Sequence, residues 1–316
     1  MFNIATRTLD WTLTMEPLIR HLRPANSAPS VVMDALDLAT NFRGHGWNWS
    51  HGLYIPRETR PTNRITFTFR VFLSAVTHTF VCTVFYQAIL SFAGVESTTK
   101  GSTIFDETFP FLVRYLRASI ISAMIAMVVY ACLQIGYDLC TIPAVLILGQ
   151  DPAQWPLAFD APWRATSLHE FWGRRWHQWA RRTFLFLAGH PLSTLLGPAG
   201  RVLGAFLASV AMHDIILVCL DGKAGARWML VGFGMNAPGL LAERGFYQLT
   251  GKRVDGVIGW VWTMAWLSLS GNAIFEGYAR VAGIGDPSLI DSVLPTVMRV
   301  LVKRLVTDFD VWLHTI

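Results

Sequence analysis

The chain has 316 residues, 53% of them hydrophobic and 15% charged, with a mean hydropathy of +0.39. Soluble domains carry about 25% charged residues, so this balance excludes an ordinary soluble globule and points to an integral membrane protein. The net charge of +5 is small and dispersed, which argues against a nucleic-acid surface and for basic loops facing an anionic leaflet or an anionic cofactor.

Residues 1–23 are no secretory leader, because Arg7, Asp10, Glu16 and Arg20 interrupt any apolar core. Ile4, Trp11, Met15, Leu18 and Leu22 fall at helical spacing, which predicts a short amphipathic helix on the membrane surface, with a disordered lead-in as the alternative. Residues 24–30 form a breaker-rich link. Gly44 and Gly46 then allow a sharp turn or a close approach. His45 and His51 lack a carboxylate or cysteine at ligand spacing, so no metal is expected there.

Residues 71–93 read as the first spanning helix, followed by a polar loop with Glu96, Lys100, Asp106 and Glu107. Residues 118–149 are apolar throughout but too long for one crossing of a bilayer core of about 30 Å. Gly136, Asp138 and Pro143 are expected to break them into a span and a shorter, tilted or re-entrant piece. Residues 151–182 form a long polar connection holding Arg164, Arg174, Arg175, Arg181 and Arg182. If 118–149 crosses once, this loop shares a side with Arg57, Arg60 and Arg64, and the arginine bias of both loops places that side in the cytosol.

Residues 183–196 are too short for a straight span, and 202–220, 228–249 and 257–275 follow as further spans. Asn236, Glu243, Arg244, Asn272 and Glu276 lie within or beside them and must face protein or water. Leu294, Leu301, Leu305 and Trp312 recur at helical spacing in a last segment, read as surface-lying or as an oblique crossing. Cys82, Cys132, Cys140 and Cys219 stand in apolar stretches without a Cys-x-x-Cys pair, so they read as small buried hydrophobes.

Two histidines stand out. His213 lies near the middle of the 202–220 stretch, where an ionisable group is costly unless a cavity or partner receives it. It reads as a general base in a partly dry cavity, or else as a packing histidine bonded to a neighbouring helix. Ser209 is one turn away on its face, while Asp214 points about 100° aside. His177 closes the run Arg174-Arg175-Trp176-His177, as a polar donor at a reaction centre or as an interfacial residue among the anchors Trp172, Trp176 and Trp179. Arg174 and Arg175 suit phosphate groups through paired N–H donors, unless they form only a solvated basic face.

Other templates fail. His169-Glu170 opens like a zinc-protease pattern, but the next histidine is His177, so zinc is not expected. With no Gly-x-Ser-x-Gly, phosphate-loop or dinucleotide fingerprint, a covalent acyl-enzyme is not favoured.

At these residues the chain resembles the membrane-bound O-acyltransferase superfamily in its wax-synthase-like branch, nearest to fungal O-acetyltransferases of terpenoids and meroterpenoids. Ser167-Leu168-His169-Glu170-Phe171-Trp172-Gly173-Arg174-Arg175-Trp176-His177 is similar to that branch's Phe-Trp-Gly-Arg-Arg-Trp block. Phe206-Leu207-Ala208-Ser209-Val210-Ala211-Met212-His213 resembles the segment ending in the family's catalytic histidine, and Arg43-Gly44-His45-Gly46-Trp47 resembles a further element. The plant-type block has asparagine where His177 stands, and a glycine commonly follows the serine where Val210 stands.

The resemblance implies an all-α, multi-span transmembrane bundle of about six to eight membrane helices, short or re-entrant ones included. Residues 1–30 would be an N-terminal segment and 31–316 the acyltransferase domain. Members of the branch begin with extra spanning helices that nothing before Val31 supplies, so a shortened member is expected.

The implied reaction moves an acyl group, acetyl by analogy, from acyl-CoA to a hydroxyl of a hydrophobic secondary metabolite, in the endoplasmic reticulum membrane. His213 would be the base, and His177 would orient the thioester or meet the oxyanion. Arg174 and Arg175, with Trp172 and Trp176 beside them, would receive the CoA. No permanently bound cofactor, no metal and no nucleic-acid partner are implied. The alternatives are a long-chain wax-ester synthase, a small membrane transporter, or an inactive relative.

Overall fold

The computed structural model describes residues 2–21, 30–50, 52–92, 102–282 and 295–315. Among these the regular secondary structure is helical, apart from a single bridge between Arg20 and Trp47. In chain order the helices are α1 (Phe2–Leu13), α2 (Val31–Thr40), α3 (Arg64–Leu90) and α4 (Phe111–Leu146). Then come α5 (Leu168–Glu170), α6 (Arg181–Phe184), α7 (His190–Asp221) and α8 (Ala226–Met229). The last three are α9 (Asn236–Thr250), α10 (Gly256–Ala282) and α11 (Thr296–Leu313). Wider π turns continue α5, α6 and α8 at Phe171–Arg175, Leu185–Gly189 and Leu230–Gly234.

The chain forms two compact units. One comprises 1–70, 140–209 and 236–264, and the other 71–139, 210–235 and 265–316. Among the described residues three helical stretches are long and apolar enough to cross a membrane: Arg64–Leu90, Phe111–Leu146 and Arg181–Leu220. The stretches expected at 228–249 and 257–275 are helical, but among the described residues they do not belong to that set. Asn236, Glu243 and Arg244 dilute the first of them, and Thr263, Ser268, Ser270 and Asn272 the second.

In the first unit, α1 forms but ends at Leu13, so the expected five-residue apolar stripe does not stand on one helix. Its buried residues are Thr6, Arg7 and Asp10, while Leu9 and Leu13 are exposed. A polar network explains that orientation. Asp10 pairs with both arms of Arg182, Nη2 at 2.9 Å, and Arg7 donates to the carbonyl of Asn41 at 2.7 Å. Burial first, and then the neighbouring Arg182 charge, hold the Arg7 guanidinium down to about 10.

The apolar run 181–220 is not one straight helix. Gly197 has φ +58° and ψ −144°, a turn that Pro198 then follows. A Cβ on Gly200 would lie 2.1 Å from the Leu192 carbonyl oxygen, and one on Gly204 2.2 Å from that of Ala188. These contacts pair positions whose numbers converge on 196, so the chain folds back as an antiparallel helical hairpin with backbones in close approach. Residues 183–196, too short to span, are the short arm. The arm from Pro198 to Asp221 is about 36 Å long at 1.5 Å per residue and suffices for a crossing.

In the second unit, α4 passes Gly136 and Asp138 unbroken, against the expectation that these residues and Pro143 would split it. Gln134 Nε2 donates to Asp138 Oδ1 at 2.8 Å, so the carboxylate is met inside the helix. Pro143 lies in the last turn, where the loss of its N–H interrupts little. The C-terminal segment is helical and packs within the second unit. Val306, Asp310 and Leu313 of α11 are buried, and Asp310 takes a bidentate pair from Arg117 at 2.6 and 3.1 Å. Arg117 is 1% exposed, and its guanidinium lies over the rings of Phe92 and Phe109.

Glu276 of α10, with no exposure, accepts from Thr103 Oγ1, the Ile104 N–H and Arg280. Asn272 lies 2.7 Å from Ser122 Oγ and 3.0 Å from Ser119 Oγ. The cysteines depart from expectation: Cys132, Cys140 and Cys219 are exposed and Cys82 is half-buried, because they stand on outward faces of apolar helices. Most of the 24–30 link, His51, Glu96, Lys100 and Leu294 lie outside the described residues.

Candidate active site

The block 167–178 is built on a capped, tightly bonded turn. Ser167 Oγ accepts from the Glu170 N–H at 3.0 Å, a serine N-cap that starts α5. After Glu170 the helix widens into the π turn Phe171–Arg175, a form that recurs at functional sites. Trp176 then leaves helical geometry at ψ 147°, and Gln178 Nε2 ties the loop back to the carbonyls of Trp172 and Trp176 at 3.0 and 2.7 Å.

Glu243 of α9 holds this block from below. It accepts from the Leu168 and His169 N–H groups at 2.6 and 3.0 Å and from Trp262 Nε1 at 3.0 Å. A carboxylate at the start of a helix meets unpaired N–H donors and the positive end of the dipole. Asn236 Oδ1, on a residue with no exposure, accepts from Trp172 Nε1 at 3.0 Å. The sequence marked both residues only as polar groups needing shelter; their partners lie 64 and 75 positions away.

Arg175 is committed inside the fold. Its Nε donates to Glu170 at 2.8 Å and its Nη1 to the Asp160 carbonyl at 2.8 Å. Burial works to raise the Glu170 pKa, but the Thr166 N–H and Arg175 outweigh it and hold the carboxyl below its ordinary range. Arg174 is exposed, with its guanidinium 5.7 Å from the Tyr54 ring centre. Tyr54 donates to Asp160 at 2.9 Å, a bond that leads in raising its own pKa. Of the two arginines expected to meet a phosphate, Arg174 is therefore the one turned outward.

Arg43-Gly44-His45-Gly46-Trp47 clamps the strand of chain leading into the block. Arg43 donates to the carbonyls of Pro156 and Leu157 at 2.7 and 2.6 Å, and Trp47 Nε1 donates to Asp37 at 2.6 Å. Gly44 has φ +71°, and a Cβ there would strike the Trp49 ring at 2.3 Å, so no other residue fits. His45 lies 3.1 Å from the Ala153 carbonyl, and burial lowers its pKa.

His177 is half-buried among aromatic rings of the first unit. Trp179 stacks on it at 4.7 Å and 26°, Phe159 meets it edge-on at 5.6 Å, and Trp176 lies at 5.5 Å. Trp172 and Trp176 pack as inner rings: Trp176 stacks on Phe171, and Trp172 meets Phe206 edge-on. The small cavity lined by Arg7, Trp49 and Arg182 holds about 10 Å³, room for one water and no acyl chain.

His213 belongs to the second unit. It is half-buried on α7, with the ring of Phe233 stacked at 3.8 Å and 25°. Phe233 comes from the π turn Leu230–Gly234, whose Gly232 lies against Ile274 with no room for a Cβ. Asp214 turns elsewhere, accepting from the Gly225 N–H at 2.6 Å. A half-buried imidazole is the kind of side chain that serves as a general base.

These features define a helical membrane protein with a bonded Phe-Trp-Gly-Arg-Arg-Trp turn and a histidine inside an apolar helix. Residues 155–235, which contain both, match the model of the Membrane bound O-acyl transferase family. The chain is similar to that family over this segment. It is 30% identical over 160 residues to O-Mevalon transferase yanI of Aspergillus niger, covering 47% of this chain and 34% of that protein. Acetyltransferase ple2 of Rhodocybe pseudopiperita is 26% identical over 256 residues, 74% of this chain and 63% of its own. Acyl-CoA--sterol O-acyltransferase 1 of Arabidopsis thaliana is 25% identical over 154 residues, 44% of each. The chain thus spans from about a third to just under two thirds of the curated relatives it matches first. No solved structure matches it.

Proposed function

We propose that the protein transfers an acyl group from acyl-CoA to a hydroxyl of a hydrophobic secondary metabolite, with acetyl as the donor group and a terpenoid or meroterpenoid as the alcohol. The observation that carries this reading is the family-matched segment, which holds both the bonded 167–178 block and a histidine within an apolar helix. Acetyl transfer is supported by two fungal relatives named as acetyltransferases.

In this reading His213 takes the hydroxyl proton as the alcohol oxygen attacks the thioester carbonyl carbon. The tetrahedral oxyanion collapses, the C–S bond breaks, and the CoA sulfur leaves and is protonated, giving the ester and free CoA. His177 donates toward the thioester oxygen. One well-placed donor of this kind is worth about 3 kcal/mol. Arg174 receives a CoA phosphate, Arg175 shapes the turn that presents it, and Trp172 and Trp176 wall that turn. The arginine-rich connection faces the cytosol, and the membrane is that of the endoplasmic reticulum. The test is CoA release with acetyl-CoA and palmitoyl-CoA, each offered terpenoid and fatty alcohols. Release from acetyl-CoA with a terpenoid alcohol is expected, and preference for palmitoyl-CoA overturns the acetyl assignment.

The second reading, a wax-ester synthase that transfers a long acyl chain to a long-chain alcohol, is favoured by the similarity to Long-chain-alcohol O-fatty-acyltransferase of Simmondsia chinensis. It keeps the same residues in the same roles and is separated by that donor panel. Substrate flux in proteoliposomes without CoA release would instead mark a transporter.

A further inference from the structure

At the C-terminal end of α7 the second unit opens a cleft of about 570 Å³, lined by Gly225, Arg227, Trp228, Arg280 and Val281 among others. That volume lies within the range of small-ligand pockets. Two guanidinium groups share one indole there, with Arg227 5.1 Å and Arg280 5.6 Å from the Trp228 ring centre. A cation over an indole face is stabilised by the ring quadrupole.

The cleft is held from three directions. Gly225 forms its floor, with its N–H on Asp214 at 2.6 Å and no room for a Cβ, which would lie 2.6 Å from the Leu217 side chain. Trp228 is seated over Gly277 of α10, where a Cβ would meet it at 2.6 Å. Arg280 is oriented by the buried Glu276, whose charge is already met by Thr103 and the Ile104 N–H. Two positive charges against that one enclosed carboxylate leave the cleft cationic. Its free guanidinium edges have the planar fork that suits phosphate oxygens.

The surroundings add the second half of the ligand. Leu220, Leu230 and Val231 of the same unit are 63%, 51% and 47% exposed. Leu220 closes an apolar helix long enough to cross a membrane. A phosphate site with an indole, at the end of such a helix and beside bare aliphatic side chains, matches an amphiphile lying at a membrane interface. We propose that this cleft binds the phosphate of a phospholipid headgroup, with the acyl chains running along α7 and the Leu230–Gly234 turn. The assignment does not rest on the acyl-transfer reading.

Native mass spectrometry of the full chain in detergent tests it, with dioleoylphosphatidylglycerol, dioleoylglycerol and inorganic phosphate as separate probes. Wild type is expected to retain the phosphatidylglycerol and not the diacylglycerol. Arg227→Gln, which leaves the Glu276 network intact, should retain it about fivefold less, the loss expected for one basic residue at a lipid surface. Arg227→Lys should fall between, keeping the charge without the fork. Equal retention of both lipids, or no loss in Arg227→Gln, overturns the proposal. Binding of inorganic phosphate with the same dependence on Arg227 overturns the lipid assignment in favour of a soluble phosphate.

Discussion

The two histidines belong to differently built regions. His177 ends a turn that hydrogen bonds hold at nearly every position: Glu243 on its first N–H groups, Asn236 on Trp172, Glu170 on Arg175 and Gln178 on two carbonyls. His213 rides on a long helix with one stacked ring beside it and its neighbour Asp214 turned toward Gly225. The first region is a rigid frame whose chemistry depends on the frame. In the second, a change of the imidazole is expected to leave the long helix standing. Substitutions in the two regions should therefore separate activity from stability.

The largest effect is expected at His213. His213→Ala should lower CoA release by about 10²- to 10⁴-fold, the usual worth of a general base, with the thermal midpoint close to wild type. A midpoint that falls along with the activity would make the imidazole a packing group and erase the contrast. Glu243→Gln comes next. The amide lacks the charge that the Leu168 and His169 N–H groups meet, and one of its ends donates rather than accepts. A loss of about 1–3 kcal/mol in stability is expected, accompanied by loss of activity. Denaturant unfolding of the variant beside His213→Ala reads the two signatures directly.

Acid should loosen the frame before it reaches α7. The Glu170 carboxyl is held below its ordinary value, so its bonds to Thr166 and Arg175 stabilise the folded state above the unfolded carboxylate range. That contribution is lost as pH falls through the lowered folded value. The change in stability across this acid window should shrink in Glu170→Gln. An unchanged pH profile would mean that the pair does not hold the turn.

How much of this was legible depended on distance along the chain. The block, its arginines and the odd histidine could be read because their meaning lies in adjacent residues and in apolar run length. The hairpin was half legible: 183–196 is visibly too short to span, but the return at Gly197 depends on close contacts of Gly200 and Gly204 across the turn. The inward face of α1 was not legible, since Asp10 meets Arg182 across 172 positions. Periodicity alone favours the apolar face. Nor was the unbroken α4, because a local breaker count cannot see Gln134 satisfying Asp138. Arg174 and Arg175 looked equivalent as neighbours, and only Glu170 and Asp160 tell them apart.

That last distinction gives the smallest and sharpest test. Arg174 is exposed and stacked near Tyr54, so Arg174→Gln removes one surface charge and leaves the turn intact. An exposed charge of this kind is worth up to about 1 kcal/mol, so KM for acyl-CoA should rise by about two- to fivefold with kcat held. Arg175→Gln instead strips Glu170 of its partner and should lower kcat and the thermal midpoint together. If the two variants behaved alike, both arginines would be doing the same work, and an outward binding residue could not be separated from an inward structural one. Added salt provides the control: screening should raise the wild-type KM toward that of Arg174→Gln and leave the kcat deficit of Arg175→Gln in place.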